Sequence, residues 1–518
     1  MLIFKKLKMK RKITYVIVIL AGLQLFAGCK KYLEISPQER VLLDNYYKTP
    51  ADAFAALVSI YDRFGAQAGG LYDKVAIMSA ASDDQVAGGG GPSDINDLQV
   101  VNTFTLNPTT GPQGYLWNKG YAGIFRANVF LSKIGGINMD ATLKARYTGE
   151  AKALRAIFYF DLVRFFKNIP LLTSEVDPKQ IYEVLQVAPA EVYALIEKDL
   201  TEAIPTLPNT ITGASEGGRL TKGAAQAMLG KVYLQQAKYA QAAEQFAIVN
   251  GSTPGQANAT YGYKLLTNFG DLFKVNNKFN TESILEIVHS NASNGGWGDA
   301  GASEGNLLNI IVGPRGYKPV LASAPDYYSG YSFLVFTKEF FDFIHFDPRN
   351  KATVANLDSL EKNGIATYEK GYQNSGYFLE KTIGRVADKA PTGQTELNFP
   401  QDSYEIRLAD TYMLEAEAVL QSGGAVGAGS RAYQLFNAVR ARVGLNPVAV
   451  TMDNIMRERR AELAGEGHRF LDLVRWGKAA TVLAYKGFTA NKNEIFPIPQ
   501  GELNNTKILQ NKEYGGTK

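Results

Sequence analysis

The chain has 518 residues, with 55 basic and 50 acidic side chains, three histidines and a single cysteine. One cysteine forbids an internal disulfide, and His289, His345 and His468 are too far apart in sequence to suggest a zinc site. Residues 1–28 hold six basic and no acidic groups, so the remainder carries 49 against 50 and lacks the cationic surplus that nucleic acid would need.

At the N-terminus, Lys5, Lys6, Lys8, Lys10, Arg11 and Lys12 precede an apolar run from Ile13 to Phe26, interrupted by Gln24. Small Ala27 and Gly28 come next, then Cys29. That order predicts a secretory signal peptide over 1–28, starting at Met1 or Met9. The run is shorter than the about 20 residues of a membrane span. The position of Cys29 resembles a lipobox, with Phe26 where Leu or Val is commoner. An acylated Cys29 would tether a soluble domain to a bilayer without crossing it.

Helical periodicity dominates the chain beyond Cys29. Phe54, Leu57, Val58 and Tyr61 form one stripe over 50–64, with Thr49 as N-cap and Pro50 at the first helical position. Trp117, Tyr121, Ile124 and Phe125 share a face over 117–134. Tyr147, Ala151, Leu154, Phe158 and Leu162 do so over 142–167, before Pro170. Pro189 opens another helix, ending near Pro205. From Gly223 the chain fits a tetratricopeptide pattern: Leu229-Gly230, Tyr233, Ala242, Phe246 and Pro254, with Gln226 in place of the usual Trp and Val249 in place of Ala. Degenerate helix pairs near 117–167, 189–236, 404–443 and 452–480 predict a mainly α, tetratricopeptide-like scaffold.

Residues 251–400 differ. They are rich in Gly, Asn, Ser and Tyr, and 282–289 alone reads as a strand. Residues 291–306 read as a loop, as does the stretch from Asp83 through Gly88–Gly91 to Asn96. Loops on a rigid frame are where binding residues gather. The candidate ligand contacts are Asp83, Asp84, Gln85 and Asn96 in the first loop, and Trp297, Tyr317, Tyr327 and Tyr328 in the irregular middle, where Tyr331 also lies. Aromatic faces stack on sugar rings or peptide side chains, while Asn and Asp direct hydrogen bonds. An aromatic plug within a loop is the plainer reading for any one ring, and a turn or cap is the plainer reading for Asp83-Asp84. Trp117 and Trp476, on helical stripes, are expected to be structural.

Catalytic patterns are absent. Asp342 and Asp347 flank His345, but as decoration of a helix end. No motif selects two carboxylates for glycoside hydrolysis. Gly88–Gly91 runs into Pro92 and lacks the Lys-Ser/Thr of a phosphate loop. Nothing points to a cofactor or a metal. The charged run 457–475 predicts a salt-bridged helix hairpin, with Glu458/Glu462 and Arg469/Asp472 at intrahelical spacing.

Several blocks, taken in order, resemble the SusD/RagB lipoproteins. They are Cys29-Lys-Lys-Tyr-Leu-Glu-Ile-Ser-Pro37, Gly149–Arg164 with Ile169-Pro-Leu171, and Gly218–Ala225. Arg407–Glu417, Arg457–Leu463 with Gly467–Trp476, and Phe496-Pro-Ile-Pro499 with Gln510-Asn511 complete the order. The resemblance implies one domain over 29–518, with its scaffold at about 40–250 and 404–480 and a loop-rich ligand region at about 251–400. It implies a non-enzymatic outer-membrane protein, lipid-anchored and exposed at the cell surface. Such a protein captures oligosaccharides, or peptides in some members, and serves as the lid of a SusC-like TonB-dependent transporter. Glycan and peptide are not separated by the sequence, and a surface hydrolase or a pure scaffold are the remaining readings.

Overall fold

Thr49 opens the first described helix with a reciprocal cap. Its hydroxyl accepts from Asp52 N at 3.2 Å, and its own N donates to Asp52 Oδ2 at 2.9 Å. Two otherwise orphaned N–H groups are thereby satisfied, and Pro50 pre-sets the first turn. This starts α1 (Pro50–Gly65). In the computed structural model the described residues are 47–66, 73–177, 179–293, 295–297 and 303–518. The predicted signal segment over 1–28 and Cys29 lie outside them.

The longer helices after α1 are α2 (Gln113–Lys133), α3 (Ala141–Phe166), α4 (Pro189–Ala203), α5 (Lys222–Gln235) and α6 (Tyr239–Asn250). After the insertion come α7 (Leu408–Gln421), α8 (Arg431–Arg442) and α9 (Met452–Glu462). From α1 to α8 each packs on the next, α7 closing onto α6, and α9 joins α7. The architecture is mainly α, a stack of helix pairs, as the periodicity predicts.

The tetratricopeptide positions show why the stack closes. A Cβ on Gly230 would lie 2.7 Å from the Phe246 ring, so α5 and α6 can meet with Phe246 between them only if this position is bare. Phe246, Ala242, Leu234, Leu414 and Ala418 form one buried cluster across α5, α6 and α7. Gln226, the departure from the pattern, is buried, and its amide oxygen accepts from Tyr261 Oη. Trp117 is buried edge-on against Phe166, and Trp476 donates to Glu417 at 2.9 Å, so both are structural.

Between α6 and α7 the chain makes short pieces. Strand 283–287 pairs antiparallel with 403–407, in the register Glu286↔Tyr404 and Ile287↔Ser403. Smaller pairs join 318–319 to 366–367 and 354–356 to 377–379.

Buried charges fasten this insertion to the stack. Arg349, 1% exposed, donates to Glu458 at 2.7 Å, to Glu462 at 2.9 Å and to Asp347 at 2.8 Å. Arg407 donates to Glu462 at 2.7 Å, Glu466 at 2.8 Å and Glu282 at 3.1 Å. Arg440 reaches Glu458 at 2.6 Å, and Arg442 reaches Glu282 at 2.8 Å and also Glu462. The intrahelical pairing read from the sequence is therefore corrected. Glu458 and Glu462 turn inward to arginines from distant segments, and Asp472 takes Arg459 and Arg475 while Arg469 goes elsewhere. Low dielectric strengthens such pairs, and removing one partner costs about 3–5 kcal/mol because the other charge is stranded.

Candidate functional site

Of the residues predicted to touch ligand, Asp83, Asp84, Gln85, Tyr317 and Tyr327 are buried and engaged with partners inside the fold. Asp83 holds Arg469 through two oxygens, at 2.7 and 2.9 Å, and also meets Arg460 at 3.1 Å. Burial pushes its carboxyl up, but the two guanidiniums outweigh that and hold it below its usual range. Asp84 accepts from Arg460 at 2.6 Å, and Gln85 donates to the Leu334 carbonyl. Lys486 donates to the Ala80 and Gln85 carbonyls, at 2.9 and 2.8 Å, and so closes the turn around them. Tyr317 donates to Pro325 O at 2.7 Å. Tyr327 donates to Glu380 under the Arg385 guanidinium, 4.6 Å from its ring centre. These side chains fasten loops to the frame.

Trp297, Tyr328 and Asn96 stay at the surface, joined by neighbours that the sequence did not single out. Trp297 is 43% exposed, and its N donates to Gln394 Oε1 at 3.1 Å. Gln394 N in turn donates to Gly295 O at 3.1 Å, so residues 295 and 297 are both tied to Gln394. Further along 389–399, Glu396 accepts from Tyr328 Oη at 3.3 Å. Phe399 packs edge-on against Tyr328 at 5.5 Å, and Lys389 Nζ lies 5.8 Å from the same ring. Tyr331, half-buried, feels the charges of Glu396 and Arg315. Burial and Glu396 raise both tyrosine hydroxyls, so they remain protonated donors at neutral pH.

Arg315 extends this face. It donates to Tyr331 O at 3.1 Å and lies 3.6 Å from Asp94, which accepts from Gly90 N at 2.7 Å. Here the Gly-rich loop acquires a mechanical role. Gly88 has φ +69°, and a Cβ there would sit 2.5 Å from Ser332 O, so the loop can lie against 332–333 only as glycine. Gly89 O accepts from Tyr372 N at 2.7 Å, which places a further partly exposed ring beside the loop. Asn96 is exposed at the start of the short helix Asn96–Asn102.

The result is a surface of rings (Trp297, Tyr328, Tyr331 and Tyr372) interleaved with Glu396, Lys389, Arg315 and Asp94. Rings supply flat apolar faces, and the charged groups and hydroxyls supply directional hydrogen bonds. Among the described residues, no cluster of His, Cys, Asp and Glu is placed to hold a metal ion. Arg315, Tyr372, Lys389, Gln394 and Glu396 were missed because each is an ordinary polar or aromatic residue in its local sequence. Their shared signal is position, on irregular segments between turn residues.

Two family models match the chain: the SusD family over residues 347–487, and a family described as starch-binding associating with outer membrane over 31–234. A solved structure of a laminarin binding SusD-like protein is 50% identical, covers 90% of this chain and 99% of its own, and superposes with a TM-score of 0.86. This chain belongs to the SusD family. Within that family it is also similar to surface glycan-binding protein A from Bacteroides thetaiotaomicron, solved in complex with laminarihexaose. That structure is 26% identical, with 90% of this chain and 100% of the other covered and a TM-score of 0.78. A SusD-like protein of Bacteroides ovatus is 25% identical over 498 residues, 89% of this chain and 82% of its own length.

Proposed function

We propose that this SusD-family chain is a non-catalytic glycan-binding protein of the outer membrane. It takes laminarin-type oligosaccharides onto the face of Trp297, Tyr328, Tyr331 and Tyr372. The single observation that carries the reading is the Trp297 ring, exposed on a segment tied to Gln394, in a chain half identical to a laminarin binding relative. A ring fixed before ligand arrives loses little entropy on binding, so stacking converts efficiently into affinity.

Acyl chains on Cys29 anchor residues 29–518 as one domain at the cell surface. There the protein serves as the lid subunit of a SusC-like TonB-dependent transporter, closing when ligand favours the closed state. Asn96 contributes at the margin of the ring face.

The test is calorimetry of the soluble domain with laminarihexaose, run beside a panel of short peptides, with product analysis after long incubation. Binding without new sugar ends supports the reading. Peptide binding in place of glycan, or cleavage of the glycan, sinks it. Co-purification from membranes with a large β-barrel partner tests the lid role.

A further inference from the structure

A second cleft, of about 730 Å³, opens between α1 and the segment after strand 283–287. That volume falls within the roughly 300–1,000 Å³ of small-ligand sites. Its α1 wall carries Phe54 and Val58, whose side chains are exposed, and Val288 faces them from the strand side. Single exposed apolar residues are ordinary, but several lining one concavity form a flat apolar floor.

Of the three arginines around that floor, two are paired and one is not. Arg126 is neutralised by Asp62 at 2.6 Å, and Arg219 by Glu150 at 2.6 Å and by Glu216. Arg63, on the last turn of α1, enters no ion pair among the described residues, and its Nε is buried with no hydrogen-bond partner. Ser303 Oγ, on the opposite lip, is likewise buried without a partner. Asp62, Glu286 and Glu304 line the same cleft, but none forms an ion pair with Arg63. Burial, then Asp62, raises Glu304, and burial raises Glu286 to about 8 while its oxygens accept from Phe279 N at 3.0 and 3.2 Å. A cation left partly buried and uncompensated is costly, and a planar carboxylate matches the guanidinium fork.

We propose that this cleft is a second binding site, for an oligosaccharide bearing a carboxylate. The acid group lies on Arg63, a sugar face on Phe54 and Val58, and hydroxyls meet Ser303 and Glu304. Ser303 lies against Gly295, two residues before Trp297, but none of the four rings lines this cleft, and the proposal does not depend on the function assigned to them.

The probe is trigalacturonate, titrated calorimetrically at low and high salt, with laminarihexaose in parallel. Wild type binds the uronate, and binding weakens with salt. Arg63→Gln reduces it at least tenfold, and Arg63→Lys, which keeps the charge but not the fork, reduces it less. Trp297→Ala leaves it unchanged. Melting curves on each variant separate a lost contact from a lost fold, and Val58→Asp, which sets a negative charge on the floor, gives an independent loss. No uronate binding by wild type, uronate binding indifferent to Arg63→Gln, or its loss in Trp297→Ala overturns the proposal. Absence of laminarihexaose binding alone bears on the ring face and leaves this cleft standing.

Discussion

Trp297→Ala isolates the ring on which the glycan reading rests. The residue is 43% exposed. A tryptophan buries at most about 250 Å², which leaves roughly 110 Å² for a ligand to cover. At about 25 cal/mol per Å², covering most of it contributes roughly 2–3 kcal/mol, or about 30- to 150-fold in Kd. The bond from residue 297 N to Gln394 Oε1 is a backbone bond and survives the substitution, so the loop keeps its anchor. Isothermal titration with laminarihexaose reads the affinity, and a thermal melt checks the fold. A Kd within threefold of wild type, with the melt unchanged, would refute the stacking argument.

Tyr327→Phe removes the hydroxyl that donates to Glu380. It should cost about 1–2 kcal/mol in urea unfolding and leave glycan affinity alone. Asp83→Asn weakens the paired contacts to Arg469 and the contact to Arg460. A loss of about 3 kcal/mol is expected, again with affinity intact, because the residue holds the frame. Glu466 gives a pH signature. Burial opposes its ionisation, but Arg407 and Lys381 hold it down at about 2, against 4.5 for the free side chain. Its stabilisation is therefore complete above pH 4.5 and is lost as pH falls from there towards 2. By linkage that is worth roughly 3 kcal/mol, and Glu466→Gln should flatten the acid limb of stability measured between pH 5 and 2.

The stack was legible because its signals are local. Gly230, Ala242 and Phe246 lie within one repeat, and their small-and-aromatic alternation already implies two helices in close approach. Strand 283–287 was legible within 282–289 for the same reason, as a short apolar-rich run in a polar, Gly- and Asn-rich stretch. Trp297 was legible because a tryptophan among Gly, Asn and Ser has no near neighbour to bury it. The burial of Asp83 and Asp84 was not legible because their partners, Arg469 and Arg460, lie 386 and 376 positions away. Two separate peculiarities of the sequence, an acidic doublet and a basic run, turn out to neutralise each other. Tyr327 failed similarly, since Glu380 is 53 positions on and nothing local distinguishes a buried tyrosine from a displayed one. Tyr328, the next residue, points the other way, which is the usual alternation of an extended chain.

The arginine-carboxylate cluster around Glu462 has a mechanical consequence. Arg349 belongs to the insertion and Glu458 and Glu462 to α9, so the loops that display the rings cannot swing on the helices without tearing a cation from its anions. The insertion and α9 should thus move as one stiff body. A force applied at Arg349 would reach α9 undamped.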